Sequence, residues 1–147
     1  MNWDVRLHDA FEAEFLVFER GVQTELLAVA KLLAEYGPQL GRPYVDTLKG
    51  SKHTNMKEMR FSAADGEWRA AFAFDPERKA ILLVAGDKSG VSQKRFYKQL
   101  IAKADSRLSD HLENLRSAKK GWSYGTEHRS GYSFPAPRPA GADRGAL

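Results

Sequence analysis

Cysteine is absent, so neither a disulfide nor a thiolate metal site can form. His8, His53, His111 and His128 are scattered, and no two make an HxxxH pair, which argues against zinc. No apolar run approaches the ~20 residues a bilayer requires. The opening MNWDVRLHD alternates charged and apolar side chains, unlike a signal peptide. Internal repeats are also absent. What remains is the pattern of a soluble cytoplasmic protein that uses no cofactor and meets no membrane. At 147 residues it has room for one domain and a tail.

The net charge of +4 conceals an asymmetry. Residues 1–36 carry three Lys/Arg against seven Asp/Glu, residues 37–118 carry fifteen against ten, and residues 119–147 carry five against two. An acidic N-terminal quarter followed by a basic remainder predicts a polarised surface. Solvated helix faces of both signs would give the same numbers.

Near the N-terminus, Trp3, Val5 and Leu7 alternate with polar residues, which predicts a half-buried strand. Asp9 stands at the N-cap position with Glu12 three residues on, a capping-box spacing. Phe11, Phe15 and Phe18 then stripe a short helix that Gly21 is expected to break. Val22, Leu26, Val29, Ala30 and Leu33 stripe a second helix, ended by Gly37-Pro38. The period then becomes two. Met59 and Phe61 oppose Glu58, Arg60 and Ser62; Trp68, Phe72 and Phe74 oppose Arg69, Ala71 and Ala73. Between these runs lies a turn, Ala63-Ala64-Asp65-Gly66. A two-residue turn is expected to pair Ser62 with Arg69, and a four-residue loop Arg60 with Arg69. Either way, burial of the aromatic side puts Arg60 and Arg69 together on the opposite face. Residues 80–86, AILLVAG, read as a central strand. Ser89 or Ser92 caps a final helix striped by Tyr97, Leu100, Ile101, Ala104, Leu108, Leu112 and Leu115. The expected architecture is α+β, βαα-βββ-α, with a small antiparallel sheet packed on helices by one face and partly open on the other. The domain is expected to end at residue 117. Residues 118–147 hold five Gly and three Pro without periodicity and read as a disordered tail.

The chemistry of the strand face suggests metal-free RNA cleavage. That reaction deprotonates a 2′-hydroxyl, stabilises a phosphorane and protonates a 5′-oxygen. Arginine suits the middle task because its planar fork matches phosphate oxygens. Lys, His or Tyr can move the protons once their pKa values are tuned. Arg60, Arg69, Lys88, Lys52, His53 and Tyr97 form the candidate catalytic set, and Lys49, Lys57, Lys94, Arg95 and Lys98 the candidate RNA-binding set. Two arginines on a strand face, however, more often meet solvent or acids than substrate. Tyr97 is equally at home in a helix–sheet core. Gly86-Asp87-Lys88-Ser89 lacks P-loop spacing, and His111 reads as a boundary residue. Trp122, Tyr124, Tyr132 and Phe134 in the tail could stack on bases.

Three stretches carry a family resemblance: LKGSKHTNMKEMRF (48–61), WRAAFAFD (68–75) and LLVAGDKSGVSQKRFYKQ (82–99). They resemble the RelE/HigB toxin superfamily of type II toxin–antitoxin systems, in its phage-derived HigB-like branch. The resemblance covers about residues 1–115 and implies the RelE-like fold. It also implies an endoribonuclease that cuts mRNA in the ribosomal A site, inhibits translation and is held inactive by a cognate antitoxin. That family's strand arginines and post-strand lysine fall on Arg60, Arg69 and Lys88, with Met59 in place of the commoner Leu. The histidine-containing triplet that closes some branches has no counterpart here. The implied partners are a helix-turn-helix antitoxin, the ribosome and mRNA, with operator DNA met only through the antitoxin complex. A groove between the helical hairpin and the sheet is the expected antitoxin site. A ParE-like gyrase inhibitor without nuclease activity and a catalytically silent co-repressor module are the alternatives.

Overall fold

A computed structural model gives the fold and describes residues 2–121, with side chains through Ala118. In chain order the elements are β1 Asp4–Leu7, α1 Asp9–Leu16, α2 Arg20–Tyr36, a 3-10 turn Gly37–Gln39, β2 Val45–Thr47, β3 Lys57–Ala63, β4 Gly66–Phe74, β5 Lys79–Asp87 and α3 Gln93–Gly121. The five strands form one sheet in the order β1-β5-β4-β3-β2. Only the β1–β5 pair is parallel. The α+β class and the order of the long elements are as expected. β2 was not: three residues are too few to show a period.

Helices pack on both faces of the sheet, and the second face, expected to be partly open, is covered by α3 over part of its area. Helices α1 and α2 bury Phe11, Phe15, Leu26 and Leu33 against Val5, Met59, Phe72 and Leu82. That interface is a closed core. On the other face α3 buries Phe96, Leu100, Ala104 and Leu108 against Ala71, Ala73, Ile81 and Leu83. The alanines of β4 let the helix approach, and a bulge helps. Ala71 pairs with Val84 while Phe72 pairs with Leu82, so β5 carries one extra residue there. Leu83 and Val84 therefore both join the α3 side.

Local chemistry explains the remaining differences. His8, not Asp9, caps α1, because its Nδ1 accepts the Ala10 N–H at 3.1 Å. The break between α1 and α2 falls at residues 17–19, and Gly21 sits within α2. Gly37 closes α2 with φ +58°, where a Cβ would collide with the Trp3 ring. At the β3–β4 tip Ala63 pairs with Gly66 across Ala64 and Asp65, both at positive φ. This two-residue turn pairs Arg60 with Arg69, a register expected only of a longer loop. Ser92 is the cap of α3: its Oγ accepts from the Arg95 N–H at 3.1 Å. Helix α3 continues through Gly121, beyond the expected boundary at 117. The tail and its aromatics, from Trp122 onward, lie outside the described residues. Among the described residues no helix is long and apolar enough to cross a membrane.

Candidate functional site

Strand alternation builds the site. Phe61 and Trp68 pair across β3 and β4 and stack at 6.1 Å toward α1 and α2. Their neighbours Arg60 and Arg69, directly opposed in register, therefore emerge together toward α3. Gly86 of β5 is the next residue in that row. A Cβ there would meet the Phe96 ring at 3.1 Å, so glycine lets the start of α3 settle onto the strand. That approach brings Tyr97 to the arginines.

A residue that the sequence places on this face without a role joins the group. Glu58 lies two positions before Arg60, on the same face, and is buried. Its Oε1 accepts the Tyr97 hydroxyl at 2.8 Å. Its carboxylate lies 3.7 Å from Arg60 Nε and 4.0 Å from Arg69 Nε. Arg69 is itself only 8% exposed; it donates to the Trp68 carbonyl at 2.9 Å and approaches Glu67 at 4.0 Å. Neither arginine's Nε makes a hydrogen bond among the described residues. Burial, then Glu58, push the Tyr97 hydroxyl above its usual range, against the opposing pull of Arg69. Tyr97 is thus a protonated phenol at neutral pH. Beside the group lies an open depression of about 280 Å³ lined by Pro43, Arg60, Ser62, Glu67 and Arg69.

The other candidates divide into near and far. Lys88 follows β5, its N–H bonded to the Glu67 carbonyl at 2.8 Å, and alternation puts it on the arginine face. Lys94, Arg95 and Lys98 are exposed on the first turns of α3. Gly50 packs near Ile101, one turn beyond Tyr97, with the exposed Lys49 beside it. Lys57 shares the face of Met59 on β3, opposite the arginines. Lys52 and His53 are distant as well. Ser51 and the Lys52 N–H bind Asp105, and His53 Nε2 meets Ser109 Oγ at 3.0 Å. Ser109 lies twelve residues past Tyr97, about 18 Å along the helix. The structure does not bring these three residues to the arginine group.

A second polar cleft, of about 210 Å³, lies where α3 crosses β1 and the β4–β5 turn. His111, read from sequence as a boundary residue, bonds the buried Asp75 at 2.8 Å. His8 bonds Asp110 at 3.2 Å while capping α1. Burial, opposed by Asp110, holds the His8 imidazole below its usual range. A lowered pKa means the unfolded chain binds the proton more readily, so stability is lost as pH falls through the unfolded value near ~6.5 and on through the folded one. A proton on Nδ1 also removes the cap's acceptor. Asparagine caps without titrating. His8→Asn is therefore expected to flatten the stability-versus-pH curve between about pH 7 and 5, measured by urea melts. An unchanged slope would refute the account. Asp75 acts lower on the scale. Burial alone raises its carboxyl, but His111 and the N–H groups of Lys79 and Glu77 outweigh burial and leave it below the usual range.

Comparison with known proteins agrees with this fold. The family model described as "Phage derived protein Gp49-like (DUF891)" matches residues 13–109. "Putative toxin HigB2" of Mycobacterium tuberculosis is 44% identical over 95 residues, 64% of this chain; the match spans about half (47%) of that protein's length. "Putative toxin HigB3" of the same organism is 43% identical over 101 residues, covering 69% of this chain and 86% of that protein. Among solved structures, a mutant of E. coli toxin RelE in the free state superposes with a TM-score of 0.52 at 12% identity. That match covers 70% of this chain and 97% of the other, and the likeness is one of fold.

Proposed function

Because the chain belongs to the Gp49-like phage-derived family within the RelE/HigB toxin superfamily, we propose that it is the toxin of a type II toxin–antitoxin pair, a ribosome-dependent mRNA endoribonuclease. The observation that carries this reading is the group itself. Two guanidiniums stand side by side, each ion-paired at its Nε to the one Glu58 carboxylate that also accepts the Tyr97 hydroxyl. In the reaction a 2′-hydroxyl passes its proton to solvent, its oxygen attacks the adjacent phosphorus and the bond to the 5′-oxygen breaks, leaving a 2′,3′-cyclic phosphate and a 5′-hydroxyl. Arg60 and Arg69 stabilise the charge on the non-bridging oxygens. Tyr97, kept protonated, gives its proton to the departing 5′-oxygen. Glu58 is a positioning residue that orients all three. Its carboxylate also neutralises part of the arginines' charge until a phosphate takes its place.

The start of α3 supports a polyanionic substrate. Lys94, Arg95 and Lys98 stand at the positive end of the helix dipole, where cations are disfavoured. No ion pair at these side chains offsets that among the described residues. Their placement serves a ligand better than the fold. Lys94→Glu combined with Lys98→Glu is expected to weaken ribosome association roughly tenfold near 100 mM salt, measured by cosedimentation. Lys52→Glu, on the distant loop, is expected to change it far less.

The proposed antitoxin is a helix-turn-helix protein that lays an acidic segment over Arg60 and Arg69 and alone contacts operator DNA. The burial of Arg69 between Glu58 and Glu67 favours one second reading, a catalytically silent module in which the arginine is structural. Purified full-length protein, added to ribosomes programmed with a defined mRNA, separates the two. Primer extension is expected to show cuts on the ribosome and none on naked mRNA. An intact message, or DNA breaks dependent on gyrase, would overturn the nuclease reading.

A further inference from the structure

The row that holds the arginines extends one residue further. The Arg60 N–H donates to the Tyr44 carbonyl at 2.8 Å. This continues the β2–β3 register, in which Val45 pairs with Met59, by one more pair. Val45 points into the α1–α2 core, so its neighbour Tyr44 belongs to the arginine face. Tyr44, Arg60, Arg69 and Gly86 thus cross four strands in a single line. Neighbouring strands lie ~4.8 Å apart, which places Tyr44 about 10 Å from Arg69.

Tyr44 is 41% exposed, beside a polar depression. Pro43, the residue before it, shares the lining of that depression with Arg60 and Arg69. Arg42 is drawn away by Asp46, which accepts from it at 2.7 and 3.1 Å. The rim there is left to the ring. Guanidiniums grip phosphates but do not choose between a nucleotide and a bare sugar-phosphate. An exposed aromatic one strand away supplies the missing surface, a π-face for a base.

We propose that Tyr44 is a stacking platform for a nucleobase of single-stranded RNA whose adjoining phosphate lies on Arg60 and Arg69. The inference rests on the RNA reading above. Single-stranded rather than paired RNA is required, because a stacked base inside a helix offers no free face.

The test uses the full chain at low ionic strength and two probes of equal length and charge, an unstructured oligoribonucleotide and its abasic counterpart. Wild type is expected to bind the base-bearing probe about tenfold more tightly. Tyr44→Ala is expected to lose that preference while still binding the abasic probe as wild type does. Tyr44→Phe is expected to keep the preference and Tyr44→Trp to show fluorescence quenching by the base-bearing probe alone. Arg60→Ala is expected to weaken both probes equally. If Arg60→Ala weakens binding but Tyr44→Ala keeps the preference, the platform is refuted and the RNA reading stands. If wild type binds neither probe, the platform is overturned, and the RNA reading is decided separately by cutting on the ribosome. If Tyr44→Ala binds both probes as wild type does but loses capture by the antitoxin encoded beside it, the ring belongs to a protein interface and the inference is overturned.

Discussion

Arg69→Ala is expected to abolish toxicity and also to lower stability by about 2–3 kcal/mol, whereas Arg60→Ala abolishes toxicity with a loss below about 1 kcal/mol. The sequence alone predicts that Arg69→Ala leaves folding intact, as for any exposed strand position. Burial changes that expectation. Arg69's side chain is 10% exposed, and its removal strands Glu58, itself buried, with only Arg60 at 3.7 Å and the Tyr97 hydroxyl. The Arg60 side chain is about one-third exposed (34%), and truncating it leaves Arg69 in place. Loss of toxicity in Arg69→Ala is therefore ambiguous by itself, and a third variant resolves it. Glu58→Gln added to Arg69→Ala removes the stranded charge, so it should regain part of the stability but none of the activity. Thermal melts and growth after induction read the two quantities separately. A toxic Arg60→Ala would sink the phosphate site. An Arg69→Ala that melts like wild type would sink the buried ion-pair account.

The arginine face was legible because alternation is a strict rule: once Phe61 and Trp68 are buried, Arg60 and Arg69 can only face the other way. The same rule, applied to every residue, also places Glu58 beside Arg60 and removes Lys57 to the far side. The place of Glu58 was read from the sequence without its role, and that of Lys57 needed only the same rule carried one residue further. Coverage of the second face was half legible. Ala71, Ala73, Ile81 and Leu83 are too apolar to face water, but nothing in their spacing says which helix lies on them. Lys52 and His53 were not legible at all. Their place depends on Asp105 and Ser109, more than fifty residues away, gripping a loop that has no period of its own. The cap at His8 was missed by one residue, since aspartate is the commoner cap and Asp9 stood next to it.

The second large effect concerns the edge of β5. Pairing with β1 stops at Leu82, so the next carbonyl, Leu83, has no strand partner on that side. Arg107 of α3 fills the role: Nη1 donates to the Leu83 carbonyl at 2.8 Å and to Glu14 Oε1 at 2.9 Å, and Nη2 donates to Glu14 Oε2 at 2.6 Å. One guanidinium ties helix to sheet edge and to α1, three elements far apart in sequence. Its side chain is 15% exposed, so these charge-assisted bonds are little screened. Arg107→Ala is expected to cost about 3 kcal/mol, leaving the Leu83 carbonyl without its donor and the Glu14 carboxylate with Lys103 alone at 3.7 Å. Arg107→Lys is expected to recover less than half, because a single ammonium cannot span both acceptors in the fork's geometry. The pH dependence gives an independent check. The Arg107 hydrogen bond, foremost, holds the Glu14 carboxyl below its usual range despite partial burial. A lowered carboxylate contributes stability that is present above its unfolded pKa and is lost as pH falls through the folded value. In wild type, stability should therefore decline below about pH 4.5. In Arg107→Ala only Lys103, 3.7 Å from the carboxylate, still holds Glu14 down, so the Glu14 share of that decline becomes smaller and the difference between the two proteins shrinks as the solution becomes acidic. Urea melts at pH 7 and at lower pH measure both effects. A difference that stays constant with pH would assign the loss to packing of the arginine's aliphatic stem rather than to its charge.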